Sequence, residues 1–265
     1  MAMTTWHIVH HMSPPRLQKP VFIEGLPGIG NVGKLAIDFL IEELKAQKLT
    51  TIHASNFPHT VFVNEDNLVD LPLIEMYLAK SPRGHLLLMT GDMQPSDEES
   101  CHEFCFTILD MLKKWGVGEV VTIGGIGLQQ VPETPKVFCT ANSKAIIREW
   151  SHKLLSNKIY GVVGPIVGVS GLMVGLASRY NMKAIALLAE TFGHPLFIGV
   201  KGSRSVVSVI ADHFGLKIDI KKLDKEIREV EQELTKRTEE LQNIQRDTVL
   251  NRLKGKIDRD QRYIG

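Results

Sequence analysis

Gly28, Gly30 and Gly33 fall in the run Gly28-Ile29-Gly30-Asn31-Val32-Gly33, a G-x-G-x-x-G spacing able to cradle a pyrophosphate. That chemistry needs three parts: glycines that admit the ligand close to backbone, a helix N-terminus facing it, and an acidic residue about twenty positions on to hold a ribose. The first two are present, because the apolar run "PVFIE" enters the glycines and an amphipathic helix is expected from about Gly30 to Ala46. The third is missing: the next strand ends "IHASN", with Asn56 where an Asp or Glu should stand. Lys34 suggests a phosphate loop, yet Leu35 stands where G-x-x-x-x-G-K-[ST] needs a hydroxyl. Two readings remain. In one, a transferase holds a nucleotide or phosphate at Gly28, Gly30 and Gly33. In the other, which suits the missing acid better, the glycines permit positive φ and close helix–sheet packing with no ligand.

The remaining reactive residues form no recognised constellation. "GVSG", Gly168 to Gly171, begins like a nucleophile elbow, but Leu172 occupies the place of the final glycine. Ser170 is then expected as the N-cap of a helix starting near Leu172. The ten histidines contain no H-E-x-x-H motif, and no metal site is expected. Cys101 and Cys105 stand four apart on one helix face, where they are a metal pair or, more simply, two buried small residues. Glu24, Asn56, Glu65, Asp92 and Glu190 lie at or just after strand ends, where α/β sheets bind ligands. They either meet around one cleft or bond nearby loop amides. No catalytic residue and no cofactor is assigned.

The elements that would position these groups alternate. Apolar strands are expected at "PVFIE", "HLLLMTG", "EVVTIGGIGL" and "KAIALLAET", with "TTIHASNF" and "TVFVNEDNLVDL" as a hairpin or ribbon inserted among them. Helices are expected from Asp97 to Trp115, with Ser96 as N-cap, then over "LMVGLASRYN" and "SRSVVSVIADHFGL". From Ile159 to Ser178 no residue is charged, the length of a membrane span, but five glycines and Pro165 read as strand, turn and helix instead. Strands apolar on both faces, alternating with helices, predict an α/β fold with a mostly parallel central sheet flanked by helices.

Bulk properties bound the function. The net charge of +1 gives no electrostatic reason for nucleic acid or an anionic membrane as partner. Three cysteines are too few and odd in number for a disulfide framework, which fits a reducing, cytoplasmic setting. The N-terminal "MAMTTWHIVHHMSPPRL" has no long apolar stretch, so no signal peptide is expected.

Composition changes near Lys217, which divides the chain into a core of residues 1–216, a helical appendage of residues 217–254 and a flexible tail of residues 255–265. In the appendage Ile220, Leu223, Ile227, Val230, Leu234, Leu241 and Ile244 occupy successive a and d heptad positions, broken only by Arg237. The stripe suits a coiled-coil seam between copies, or a helix lying on its own domain.

Four stretches carry a resemblance to a known family: "FIEGLPGIGNVGKLAIDFLI", "VTIGGIGL", "GPIVGVSGLMVGLASRYNMKAIALLAETFGHP" and "VVSVIADHFGLKIDIKKL". In this order they resemble the PAC2 family, the archaeal and bacterial relatives of eukaryotic proteasome assembly chaperone 2. The likeness covers roughly Gln18 to Leu234, and Gly164 to Pro195 is its most specific part. It implies a phosphorylase- or hydrolase-like α/β core without an established catalytic centre, and homo-oligomers built partly through C-terminal helices. It further implies a non-enzymatic scaffold or chaperone role around the 20S proteasome, in assembly or in activation, with the C-terminal tail docking between α-ring subunits. Activators of that kind often end hydrophobic–tyrosine–any residue. Here the end reads Arg262-Tyr263-Ile264-Gly265, which sets the terminal carboxylate off by one residue, up to ~3.5 Å of extended chain. Tyr263, Ile264 and Gly265 are nonetheless the partner-binding residues expected, as an apolar hook on a polar leash.

Overall fold

In the computed structural model the structure describes residues 6–12, 16–55, 57–130, 132–161, 164–194, 197–219, 222 and 225. The chain divides into two units, Met1–Ile218 and Asp219–Gly265. The seven heptad positions from Ile220 to Ile244, and the tail with Tyr263, Ile264 and Gly265, lie outside the described residues.

The described strands are β1 (Trp6–His10), β2 (Val21–Glu24), β3 (Gln47–Ala54), β4 (Phe62–Val63), β5 (Val69–Asp70), β6 (Ile74–Ser81), β7 (Gly84–Gly91), β8 (Glu119–Leu128), β9 (Val137–Ala141), β10 (Leu155–Ser156) and β11 (Lys183–Phe192). The helices are α1 (Val32–Glu43), α2 (Glu98–Lys114), α3 (Lys144–Glu149), α4 (Val169–Ala177) and α5 (Val200–Phe214). Nine strands form one sheet in the order β1-β3-β6-β7-β2-β8-β11-β9-β10. Its centre, β7-β2-β8-β11, is parallel throughout, as the continuous apolar runs predict. On either side the chain turns antiparallel, through β6, β3 and β1 at one margin and β9 at the other. The α/β fold with a helix-flanked sheet is therefore present.

Two-sided burial explains the composition of the central strands. Phe22, Leu87, Met89, Val120, Ala184 and Ala186 join the cluster formed with α2 and α4. The alternating neighbours Ile23, Leu86, Leu88, Val121, Ile185 and Leu187 are equally buried and so face the other layer, where α1 packs with α5.

Several local expectations are corrected. The helix at residues 98–114 is capped by Asp97, not Ser96: its carboxylate accepts the Ser100 N–H at 2.9 Å. Among the described residues just before α4 there is no strand: residues 164–167 run as irregular chain, where Gly164 and Pro165 favour a turn over a ladder. Ser170 lies inside α4, whose N-cap is Gly168 at φ 90°. Strands β1, β6, β9 and β10 and helix α3 are additional to the expected set. The segments "TTIHASNF" and "TVFVNEDNLVDL" do not pair with each other: β3 pairs with β1 and β6 in the large sheet, and "TVFVNEDNLVDL" folds on itself as the hairpin β4–β5. Among the described residues no helix is long and apolar enough to cross a membrane.

Candidate functional site

The glycine turn after β2 is a backbone-to-backbone contact. A methyl at Gly25 would sit 2.3 Å from the Gly33 carbonyl oxygen, and one at Gly33 would sit 2.8 Å from the Ile123 carbonyl oxygen. Across the gap, a methyl at Gly125 would lie 2.2 Å from the Ile29 carbonyl oxygen. Gly30 adopts φ 64° and Asn31 φ 50°, two successive left-handed residues that turn the strand into α1. The turn is thus pressed onto the end of β8, which only glycines allow. Gly28 differs: it is extended at φ −159°, and a methyl there meets no atom of the described residues within 4 Å.

The topology removes the dinucleotide geometry. In that arrangement the strand after the first helix lies beside the glycine strand and delivers the acid to the ribose. Here β3 is separated from β2 by β6 and β7, roughly 14 Å away at ~4.8 Å per strand. Asn56, expected near that end, lies outside the described residues.

Behind the turn is a cavity of about 430 Å³ at the C-terminal ends of β2 and β8. Its walls come from Leu26 to Ile29, Ile123 to Gly127, Gly164 to Val167, Gln94, Ser170 and Leu188. Gln94 ties two walls together. Its amide nitrogen donates to the Pro27 carbonyl at 2.7 Å, and its amide oxygen accepts the Val169 N–H at 3.3 Å.

Glu24, the last residue of β2, is completely buried beside this cavity. One carboxylate oxygen accepts the Leu26 N–H at 2.8 Å, and the other accepts the Ser170 hydroxyl at 2.9 Å. Burial pushes its pKa up to about 7, against the opposing pull of the two hydrogen bonds. The Ser170 hydroxyl also lies 3.3 Å from the Ile123 carbonyl oxygen. A hydroxyl has a single hydrogen, so both contacts are satisfied at once when Glu24 is protonated and itself donates to Ser170. Thr122 fixes the start of α4 from below by donating to the Ser170 carbonyl at 3.0 Å.

The carboxylates expected near strand ends do not meet in one cleft. Asp92 accepts the Leu73 N–H at 3.2 Å, Glu190 accepts the Lys136 N–H at 2.8 Å, and Glu65 sits in the turn between β4 and β5. Among the described ones, only Glu24 bonds residues of the cavity wall, Leu26 and Ser170. Cys101 and Cys105 are buried side by side in α2, as two small core residues. Among the described residues no group of three metal-ligating side chains gathers. Nothing in the spacing of neighbouring residues pointed to the role of Gln94. The Glu24–Ser170 pair, 146 residues apart, also had no local signature.

The family model for PAC2 matches residues 22–238. The chain belongs to the PAC2 family. Its structure is similar to the crystal structure of Pyrococcus furiosus PbaB, described as an archaeal proteasome activator, at 33% identity and a TM-score of 0.79, covering 88% of this chain and 99% of that one. It also resembles P. furiosus PbaA, described as an archaeal homolog of proteasome-assembly chaperone, at 23% identity and a TM-score of 0.71, covering 98% and 100%; at that identity the likeness shows the fold alone. An uncharacterized protein of Methanocaldococcus jannaschii is 28% identical over 220 residues, 83% of either chain.

Proposed function

We propose that this PAC2 protein is a non-enzymatic scaffold or chaperone that works with the 20S proteasome, in its assembly or its activation. The observation that carries the reading is the similarity to the proteasome activator PbaB at 33% identity over nearly the whole of that chain. The packing of the core is consistent with it, since Gly25, Gly30, Gly33 and Gly125 are occupied by close contacts within the protein. So is the surface. Val61, Phe62, Val63, Leu68, Val69 and Leu71, around the β4–β5 hairpin, are each between 42% and 69% exposed. A contiguous apolar ribbon of this kind is characteristic of a protein that acts by touching other proteins.

In this reading the protein is a cytoplasmic homo-oligomer. Ile220, Leu223, Ile227, Val230, Leu234, Leu241 and Ile244 hold the copies together, and Tyr263, Ile264 and Gly265 engage the α-ring. Several tails on one assembly gain avidity, which offsets the one-residue displacement from the usual docking ending. The test is peptide hydrolysis by archaeal 20S particles with and without the protein, together with co-sedimentation. The wild type is expected to co-sediment and to change hydrolysis or particle assembly, and Tyr263→Ala to weaken both. A wild type that neither co-sediments with any 20S particle nor alters its assembly refutes the proposal.

A further inference from the structure

The cavity behind the glycine turn has features that internal packing leaves unexplained. The glycines pressed against backbone are accounted for by contacts, but Gly28 and Gly164, which line the cavity, are not. A methyl at either meets no atom of the described residues within 4 Å, and Gly28 is extended at φ −159° rather than left-handed. Both are exposed residues of the wall, so a larger side chain at either would stand at the open mouth of the cavity.

The chemistry of the wall is specific. Leu26, Ile126, Ile166 and Leu188 supply an apolar surface, and among the described residues no charged side chain lines it. Two polar side chains face this surface. Ser170 is held from behind by the buried carboxyl of Glu24 at 2.9 Å, which fixes its hydroxyl in place. Gln94 is held by Pro27 and Val169, which use one amide hydrogen and one lone pair and leave a second of each. A hydroxyl and a half-used carboxamide in an apolar wall match a neutral group that both donates and accepts. They do not match an isolated charge, which would be desolvated there without a counter-ion.

We propose that this cavity binds a small uncharged molecule carrying a carboxamide or lactam group on a compact apolar body. The site is independent of the proteasome reading, because it calls on neither the tail nor the heptad helix. No bond is made or broken there.

The test uses benzamide as probe, with toluene and benzoate as its counterparts lacking the amide and carrying a charge. Each is titrated into the ¹⁵N-labelled full chain while the amide signals of Gly28, Gly125, Gly127 and Ser170 are followed. Benzamide is expected to shift these four signals and to bind at least about tenfold more tightly than toluene or benzoate, the worth of one well-placed hydrogen bond. Gly28→Leu, whose side chain meets no atom of the described residues at its first carbon, should fold as the wild type does and lose the benzamide response. Ser170→Ala, checked for its fold by circular dichroism, should bring benzamide down towards toluene. Failure of benzamide to move these signals overturns the proposal. So does binding that Gly28→Leu leaves intact, or benzoate binding as tightly as benzamide.

Discussion

Replacing Glu24 with glutamine should remove one large component of the protein's response to pH. In the fold Glu24 is completely buried and titrates near 7, against an ordinary value of 4.5. Below about pH 4.5 the side chain is protonated in both folded and unfolded chains. Between 4.5 and 7 the unfolded chain releases its proton while the native protein keeps it, so the native state binds more protons and stability falls as pH rises. Above pH 7 the loss is complete. At ~1.4 kcal/mol per pH unit, a gap of about 2.5 makes it about 3 kcal/mol, a large share of a typical domain's ~5–15. Glutamine imitates the protonated acid. Its oxygen keeps the Leu26 N–H, its amide donates to Ser170, and the Ser170 hydroxyl turns to the Ile123 carbonyl 3.3 Å away. Glu24→Gln should therefore match the wild type near pH 5 and exceed it by about 3 kcal/mol at pH 8. His213 contributes in the opposite direction. Burial lowers its pKa to about 4, so the stability it lends is lost as pH falls from about 6.5 towards 4. It is present in both proteins and cancels in their difference. Urea unfolding followed by circular dichroism at pH 5 and pH 8 measures that difference. A gap between the two proteins that is the same at both pH values refutes the reasoning.

The glycine turn offers a matched pair. Gly25→Ala, whose methyl meets the Gly33 carbonyl and Ile37, should cost about 1–3 kcal/mol or more in urea unfolding, whereas Gly28→Ala should stay within about 0.5. Asp97→Ala removes the cap of α2 and should lower the Tm at neutral pH. Its Ser100 hydrogen bonds hold the Asp97 carboxyl below its usual range, so the wild type keeps this contribution above that range and loses it as pH falls through the folded value. Phe104→Ala, in the fully buried α2 interface, should cost about 3–5 kcal/mol by the same unfolding assay. Phe62→Ser with Val69→Ser on the exposed ribbon should change stability by less than about 0.5 kcal/mol, yet weaken the effect on 20S peptide hydrolysis.

The sequence by itself determined the class of fold and its centre. A strand buried on both faces must be apolar at every position, and "HLLLMTG", "EVVTIGGIGL" and "KAIALLAET" are so continuously apolar that only a helix-covered parallel sheet accommodates them. It favoured close approach as the role of the glycines after β2, because the acid a ribose would need is missing from "IHASN", and the structure supplied the contacts themselves. The margins were less legible. Strand β6, "IEMYLAKS", mixes charged residues with apolar ones because its outer face is half-buried, and β9 is only five residues long. Only the tertiary structure decided the rest. It set β3 three strands away from the glycine turn, and it joined Glu24 to Ser170 across 146 residues. Periodicity reports which face of an element is buried. Which element it is buried against, and which proton a buried carboxyl then keeps, depends on contacts between segments that are distant in the chain.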